Sequence, residues 1–187
     1  MKKNILVGQS GGPTAVINAS LYGVVTEGME HLDDIEHVYG MVNGIEGFLK
    51  DTYLDLSLGL TQKELELIKL TPAAYLGSCR YKLPKDLTSP FYPTLFRKLE
   101  ALDIGYFLYI GGNDSMDTVS KLSRYAAQVG SSIRFLGIPK TIDNDLMLTD
   151  HTPGYGSAAK YVASTVREIS LDASVYQQQA VTIIELM

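Results

Sequence analysis

The sequence predicts an α/β fold, a doubly wound, mostly parallel sheet with helices on both faces. Three observations lead there. Short apolar runs alternate with longer segments of helical periodicity. Strands separated by helices pair in parallel, because a parallel neighbour has to be reached by a crossover. Polar, often glycine-rich loops then follow three of the strands, at residues 9–14, 111–115 and 139–145. In such sheets ligands bind beyond the carboxyl ends of the strands, so these loops are the first place to look for function.

Taken in order, residues 4–9 read as a buried strand and residues 10–14 as a glycine turn. A helix follows over 15–29, and Pro13 suits a first helical turn. Residues 35–39 form a second strand, and 40–51 are irregular with at most one helical turn. Thr61 and Glu64 have capping-box spacing and open a helix to about Leu70. Residues 71–93 read as loop, with Pro72, Pro84, Pro90 and Pro93 as breakers. A helix over 94–102, an uncharged strand over 106–110 and a helix over 115–128 come next. A strand at 133–138, a polar loop over 139–155, a helix over 156–171 and a buried-type strand over 180–186 complete the chain.

The 187 residues, with 45% apolar and 20% charged side chains, suffice for one globular domain. A domain seldom stops at the tip of an interior strand, so residues 1–187 read as the N-terminal domain of a longer chain. A net charge of −5 argues against a nucleic-acid partner, which requires a basic face. The first apolar run is too short for a signal core, and no stretch approaches the roughly 18 apolar residues of a membrane span. One cysteine, Cys79, cannot form an internal disulfide, which fits a reducing cytoplasmic setting.

The loops carry the chemistry. Ser10-Gly11-Gly12 joins a strand to a helix and offers bare N–H groups to an anion, although the same residues also make an ordinary tight turn. The spacing is neither the dinucleotide fingerprint nor a P-loop. Gly111-Gly112-Asn113-Asp114-Ser115 is a second such junction. Each of its last three residues is a ready helix cap, yet one cap is enough. Lys140-Thr141-Ile142-Asp143-Asn144-Asp145 sets two carboxylates beside a cation and a hydroxyl, the groups that phosphoryl transfer to an alcohol requires. A solvated acidic turn is the plainer reading of the same residues. Arg80 could fork onto a phosphate or simply be a solvated charge.

In this order and at this spacing the motifs resemble those of the phosphofructokinases. Ser10-Gly11-Gly12 is similar to that family's first donor-binding loop, and Leu76-Gly77-Ser78-Cys79-Arg80 to its L-G-[ST]-x-R loop. The Gly111 to Ser115 motif resembles G-G-D-[GD]-[ST], and the Pro139 to Asp145 motif matches P-[GK]-T-I-D-[NG]-D in full. The Asp150 to Ala158 segment is similar to D-x-T-x-G-[FY]-x-[ST]-A, and Glu185-Leu186-Met187 to the start of E-x-M-G-R.

The resemblance implies transfer of a phosphoryl group to the 1-hydroxyl of fructose 6-phosphate, a glycolytic step, with Mg2+ as cofactor and a homo-oligomer, dimer or tetramer, as the working form. It implies that Gly11, Gly12, Gly112 and Ser115 contact the donor and that Arg80 stabilises the phosphoryl group in flight. Thr141, Ile142 and Asp143 would hold the sugar phosphate, with Asp143 as the base and Met187 against the sugar. Asn113 and Asp145 would lie at the metal. The resemblance also points to pyrophosphate rather than ATP as donor, through Asp114 and Lys140, because both positions hold glycine in typical ATP users. A carboxylate where the α-phosphate of ATP would sit costs about 4 kcal/mol at an effective dielectric of 20. Two departures stand out. Asn113 replaces the family's usual metal-binding aspartate, and Ala180 replaces an arginine that some members carry. An ATP-dependent member and a non-catalytic fragment stay open as alternatives.

Overall fold

The computed structural model describes residues 2–178 and 181–186. In chain order the elements are β1 (Lys3–Gln9), α1 (Ala15–Glu30), β2 (Ile35–Met41), α2 (Gly44–Leu49), β3 (Tyr53–Asp55) and α3 (Leu56–Gly59). They continue with α4 (Gln62–Leu70), α5 (Phe91–Ala101), β4 (Ile104–Gly111), α6 (Asn113–Val129), β5 (Arg134–Pro139) and α7 (Tyr155–Ala173). The sheet order is β3-β2-β1-β4-β5. β1 pairs in parallel with β2 and β4, β4 in parallel with β5, and β3 runs antiparallel to β2. The chain therefore winds outward from β1 and then crosses back to lay β4 on its other side.

Helices cover both faces, as the apolar runs foretold. Successive strand side chains point to opposite faces, so a strand buried on both sides is apolar throughout. Ile5 and Val7 join a core with Ile17, Leu21 and Val25 of α1 and Leu65 and Ile68 of α4. Leu6, between them, joins the opposite core with Phe48 of α2, Leu95 and Leu99 of α5, and Leu122 of α6.

Four local expectations need correction. β3 and α3 did not show in the sequence. The strand has three residues, too few for a period, and Asp55 then caps α3 by accepting from the Ser57 N–H at 3.0 Å. Helix α5 begins at Phe91, so Pro93 sits in its first turn rather than before it, where the missing N–H leaves no bond unmade. Helix α6 begins at Asn113 with Gly112 as N-cap, so none of Asn113, Asp114 and Ser115 serves as the cap. Finally, residues 181–186 form no strand, and Val181 and Ile183 are exposed. An apolar run becomes a strand only where a ladder partner takes its N–H and C=O groups, and β5 pairs only with β4 among the described residues. Ala180, the expected start of that strand, and Met187 lie outside the described residues. None of the described helices is long and apolar enough to cross a membrane.

The capping box of α4 is present in full. Thr61 Oγ1 accepts from the Glu64 N–H at 3.3 Å, and Glu64 Oε2 accepts from the Thr61 N–H at 2.8 Å. Thr61→Ala should lower stability by about 1 kcal/mol, the usual worth of such a cap, read as a lower urea midpoint at unchanged slope.

Candidate functional site

The strand order reverses between β1 and β4, and the crevice beyond their carboxyl ends is where a doubly wound sheet binds ligands. A cavity of about 540 Å³ lies there, lined from the loops after β1, β4 and β5 and from the segment around Arg80.

Register brings the first two loops together. Gln9 pairs with Ile110 and Gly111 with Pro139, so the ends of β1, β4 and β5 are level. The Ser10 N–H donates to the Ile110 carbonyl at 3.0 Å, and the Lys140 N–H to the Gly111 carbonyl at 2.9 Å. The buried hydroxyls of Ser10 and Ser115 lie 2.5 Å apart and join the two glycine loops. Gly111 is required by this approach, since a Cβ there would lie 2.1 Å from Ser115 Oγ and 2.7 Å from the Ser10 carbonyl oxygen. Gly11 is required by its backbone, with φ at +78°.

The loop after β5 is held by its own polar groups. The Thr141 N–H donates to the Pro153 carbonyl at 3.1 Å, and the Thr141 carbonyl accepts from Thr152 Oγ1 at 2.8 Å. Thr141 Oγ1 accepts from the Asp143 N–H at 3.1 Å, which leaves the exposed Asp143 carboxylate at the cavity. Lys140 is buried and its ammonium donates to the Gly12 carbonyl. Burial lowers its pKa, and the nearby Asp143 charge opposes that shift.

The segment around Arg80 has no helix or strand, and it is stitched to the first loop. Ser78 Oγ donates to the Gly11 carbonyl at 2.6 Å, and the Gly11 N–H donates to the Cys79 carbonyl at 3.3 Å. Arg80 is left exposed at the cavity rim.

Of the residues singled out from the sequence, Gly11, Gly12, Arg80, Gly112, Asn113, Asp114, Ser115, Lys140, Thr141, Ile142 and Asp143 all line this one cavity. Asp145 does not. Its carboxylate accepts from Asn113 Nδ2 at 2.7 Å, just beyond the lining. Met187 lies outside the described residues. Sequence reasoning missed Lys82, Tyr109 and Thr118, which also line the cavity. Lys82 had a signal, since it follows Arg80 by two residues in the same loop. Tyr109 reads as core because it sits within an apolar strand, and Thr118 reads as an ordinary helix residue.

Among the described residues no group of three or more His, Cys, Asp or Glu side chains is placed to hold a metal. Asn113 and Asp145 offer one amide oxygen and one free carboxylate oxygen. That set fits a hard cation that brings its other oxygen ligands on a phosphorylated substrate.

Two glycine loops, the N-termini of α1 and α6 and three cationic side chains around one cavity define an α/β domain suited to an anionic ligand. The Phosphofructokinase family model matches residues 4–187, and the chain belongs to that family. It is 46% identical over 171 residues to the pyrophosphate–fructose 6-phosphate 1-phosphotransferase of Rhodospirillum rubrum, covering 91% of this chain and 41% of that protein. The solved structure of a pyrophosphate-dependent phosphofructokinase from Marinobacter aquaeolei matches with a TM-score of 0.82 at 46% identity, over 91% of this chain and 41% of that one. Another pyrophosphate-dependent phosphofructokinase, from Nitrosospira multiformis, matches with a TM-score of 0.85 at 40% identity, over 92% of this chain and 42% of that one. The chain thus spans about two fifths of the length of the curated relatives it matches.

The glycine geometry is testable. Gly111→Ala should destabilise the domain by about 1–3 kcal/mol, the usual effect of forcing a methyl into a full space. Gly12→Ala, whose Cβ would meet nothing closer than Lys140 Nζ at 3.9 Å, should leave stability within about 0.5 kcal/mol. Thermal unfolding of the two variants compares them directly.

Proposed function

We propose that the chain is the donor-side domain of a phosphotransferase that moves a phosphoryl group from pyrophosphate to the 1-hydroxyl of fructose 6-phosphate. The products are fructose 1,6-bisphosphate and phosphate. One observation carries this reading: the Lys140–Asp143 loop and both glycine loops face a single cavity. A proton acceptor and a phosphate cradle then share one space, as an in-line transfer requires. The names of the relatives at 40–46% identity support pyrophosphate as the donor.

In this reading the backbone N–H groups near Gly11, Gly12 and Gly112, with Ser115, hold the donor at the ends of α1 and α6. Arg80 lies at the rim, where it offsets charge on the phosphoryl group as it moves. Asp143 takes the proton of the attacking hydroxyl, and Thr141 and Ile142 hold the sugar phosphate beside it. Lys140 pairs with the donor, and the Asp114 carboxylate repels a longer polyphosphate. Asn113 and Asp145 would hold magnesium, which neutralises charge on the donor when bound. A second lobe supplies the remaining sugar-phosphate contacts, and Met187 would lie against the sugar. The enzyme works as a cytoplasmic homo-oligomer, and the single thiol of this chain accords with a reducing compartment.

Asp143→Asn in the full-length enzyme should lower kcat by roughly a hundredfold or more with little change in KM, as loss of a general base does. Near-normal turnover in that variant would remove Asp143 from the role. Donor choice is read from kcat/KM for pyrophosphate and for ATP. Asp114→Gly should gain ATP use, and Lys140→Gly should lose pyrophosphate use, because a small donor without a nucleoside depends on charge. A wild-type preference for ATP would overturn the donor assignment.

A further inference from the structure

Tyr109 lies on β4 at the floor of the cavity and is nearly fully buried. Its ring is clamped. It packs against Phe107 with centroids 5.8 Å apart, and a Cβ on Gly8 of the neighbouring strand would lie 2.8 Å from it. For packing alone a phenylalanine would serve as well. A buried hydroxyl needs partners, and Tyr109 finds two of them, Cys79 and Ser10, in the walls of the cavity.

The Tyr109 hydroxyl meets Cys79 Sγ at 3.5 Å, a normal distance for sulfur, and the Ser10 hydroxyl and the Ile45 backbone also face it. Room for this meeting is left by Gly44, where a Cβ would lie 2.7 Å from Cys79 Sγ and 2.9 Å from the Tyr109 oxygen. Ser10 continues the chain to Ser115. Three segments with no ladder between them are therefore joined through one phenol. Burial, with Cys79 adding to it, pushes the phenol's pKa well above its ordinary value, so the group stays a neutral hydroxyl.

We propose that Tyr109 is a positioning residue for Arg80. Its hydroxyl holds the Cys79 side chain inward, and the next side chain, the Arg80 guanidinium, is thereby set outward over the donor cradle. The two bonds to Gly11 fix the backbone of this segment, and the Tyr109 contact fixes the side-chain direction at its last turn before Arg80. The proposal rests on the reading of Arg80 as a partner of the moving phosphoryl group. A misplacement of about 1 Å in such a group costs up to 100-fold in rate.

The experiment is a double-mutant cycle in the full-length enzyme, with Cys79 alkylation by iodoacetamide followed by peptide mapping. Tyr109→Phe should lower kcat by about tenfold, leave KM for fructose 6-phosphate within about twofold, and speed alkylation of Cys79. In an Arg80→Ala background it should cost nothing further, because the two residues act as one unit. If Tyr109→Phe fails to fold, Cys79→Ala carries the same kinetic expectation and the same cycle. Unchanged turnover and unchanged alkylation overturn the proposal. So do losses that simply add in the double variant, which mark a general structural effect. An impaired Arg80→Ala with unaffected Tyr109→Phe sinks the positioning role alone. Wild-type turnover in Arg80→Ala sinks the role of Arg80 itself and the proposal with it.

Discussion

Much of the site depends on one buried carboxamide. Gln9, at the end of β1, has no solvent-exposed surface. Its Nε2 donates to the Ile17 carbonyl and to Asn18 Oδ1, both at 3.0 Å, while its Oε1 accepts from the Leu76 N–H at 2.9 Å. Asn18 extends the arrangement, donating to the Thr71 carbonyl at 2.9 Å and accepting from the Tyr75 N–H at 2.7 Å. Residues 71–76 have no helix or strand to satisfy their backbone, so these two side chains take three of its groups, while the Leu76 carbonyl accepts from the Asn43 N–H at 2.7 Å. A buried donor or acceptor left unmade costs about 1–3 kcal/mol, which makes this segment adopt one path and not several. That path delivers Ser78, Cys79 and Arg80 to the rim of the cavity.

Charge is distributed against the chain's overall balance. The whole carries −5, yet the cavity gathers Arg80, Lys82 and Lys140 with the N-termini of two helices. Against them stand the carboxylates of Asp114 and Asp143. Asp114 lies in the first turn of α6, where a negative charge is favoured by the helix dipole. A carboxylate at that position is accommodated by the helix end without a ligand. Lys140 is the opposite case. It is desolvated by its surroundings, and the Gly12 carbonyl and the Asp143 charge make that position tolerable. An incoming anion would relieve the same cost.

The candidate site was legible to an unusual degree because its parts are local. Ser10-Gly11-Gly12, Gly111 to Ser115 and Lys140 to Asp143 each sit at a strand end, and a parallel sheet places all strand ends of one direction on one edge. Asn113 and Asp145, read from the sequence as a pair, are 32 residues apart, and the fold brings their side chains into hydrogen-bond contact at 2.7 Å. Tyr109 was hidden because a tyrosine in an apolar strand looks like core until its hydroxyl is seen to reach a loop.

By itself, the sequence determined the period of the longer strands and helices, the glycine loops after β1 and β4, and the Thr61–Glu64 cap. These are set by backbone sterics and by neighbours within a few residues. The tertiary structure alone decided that β3 adds antiparallel to β2, that residues 181–186 stay out of the sheet, and that Gln9 and Asn18 hold the segment leading to Arg80. Those outcomes rest on hydrogen-bond partners tens of residues away. A side chain carries no local mark of the distant group that will satisfy it.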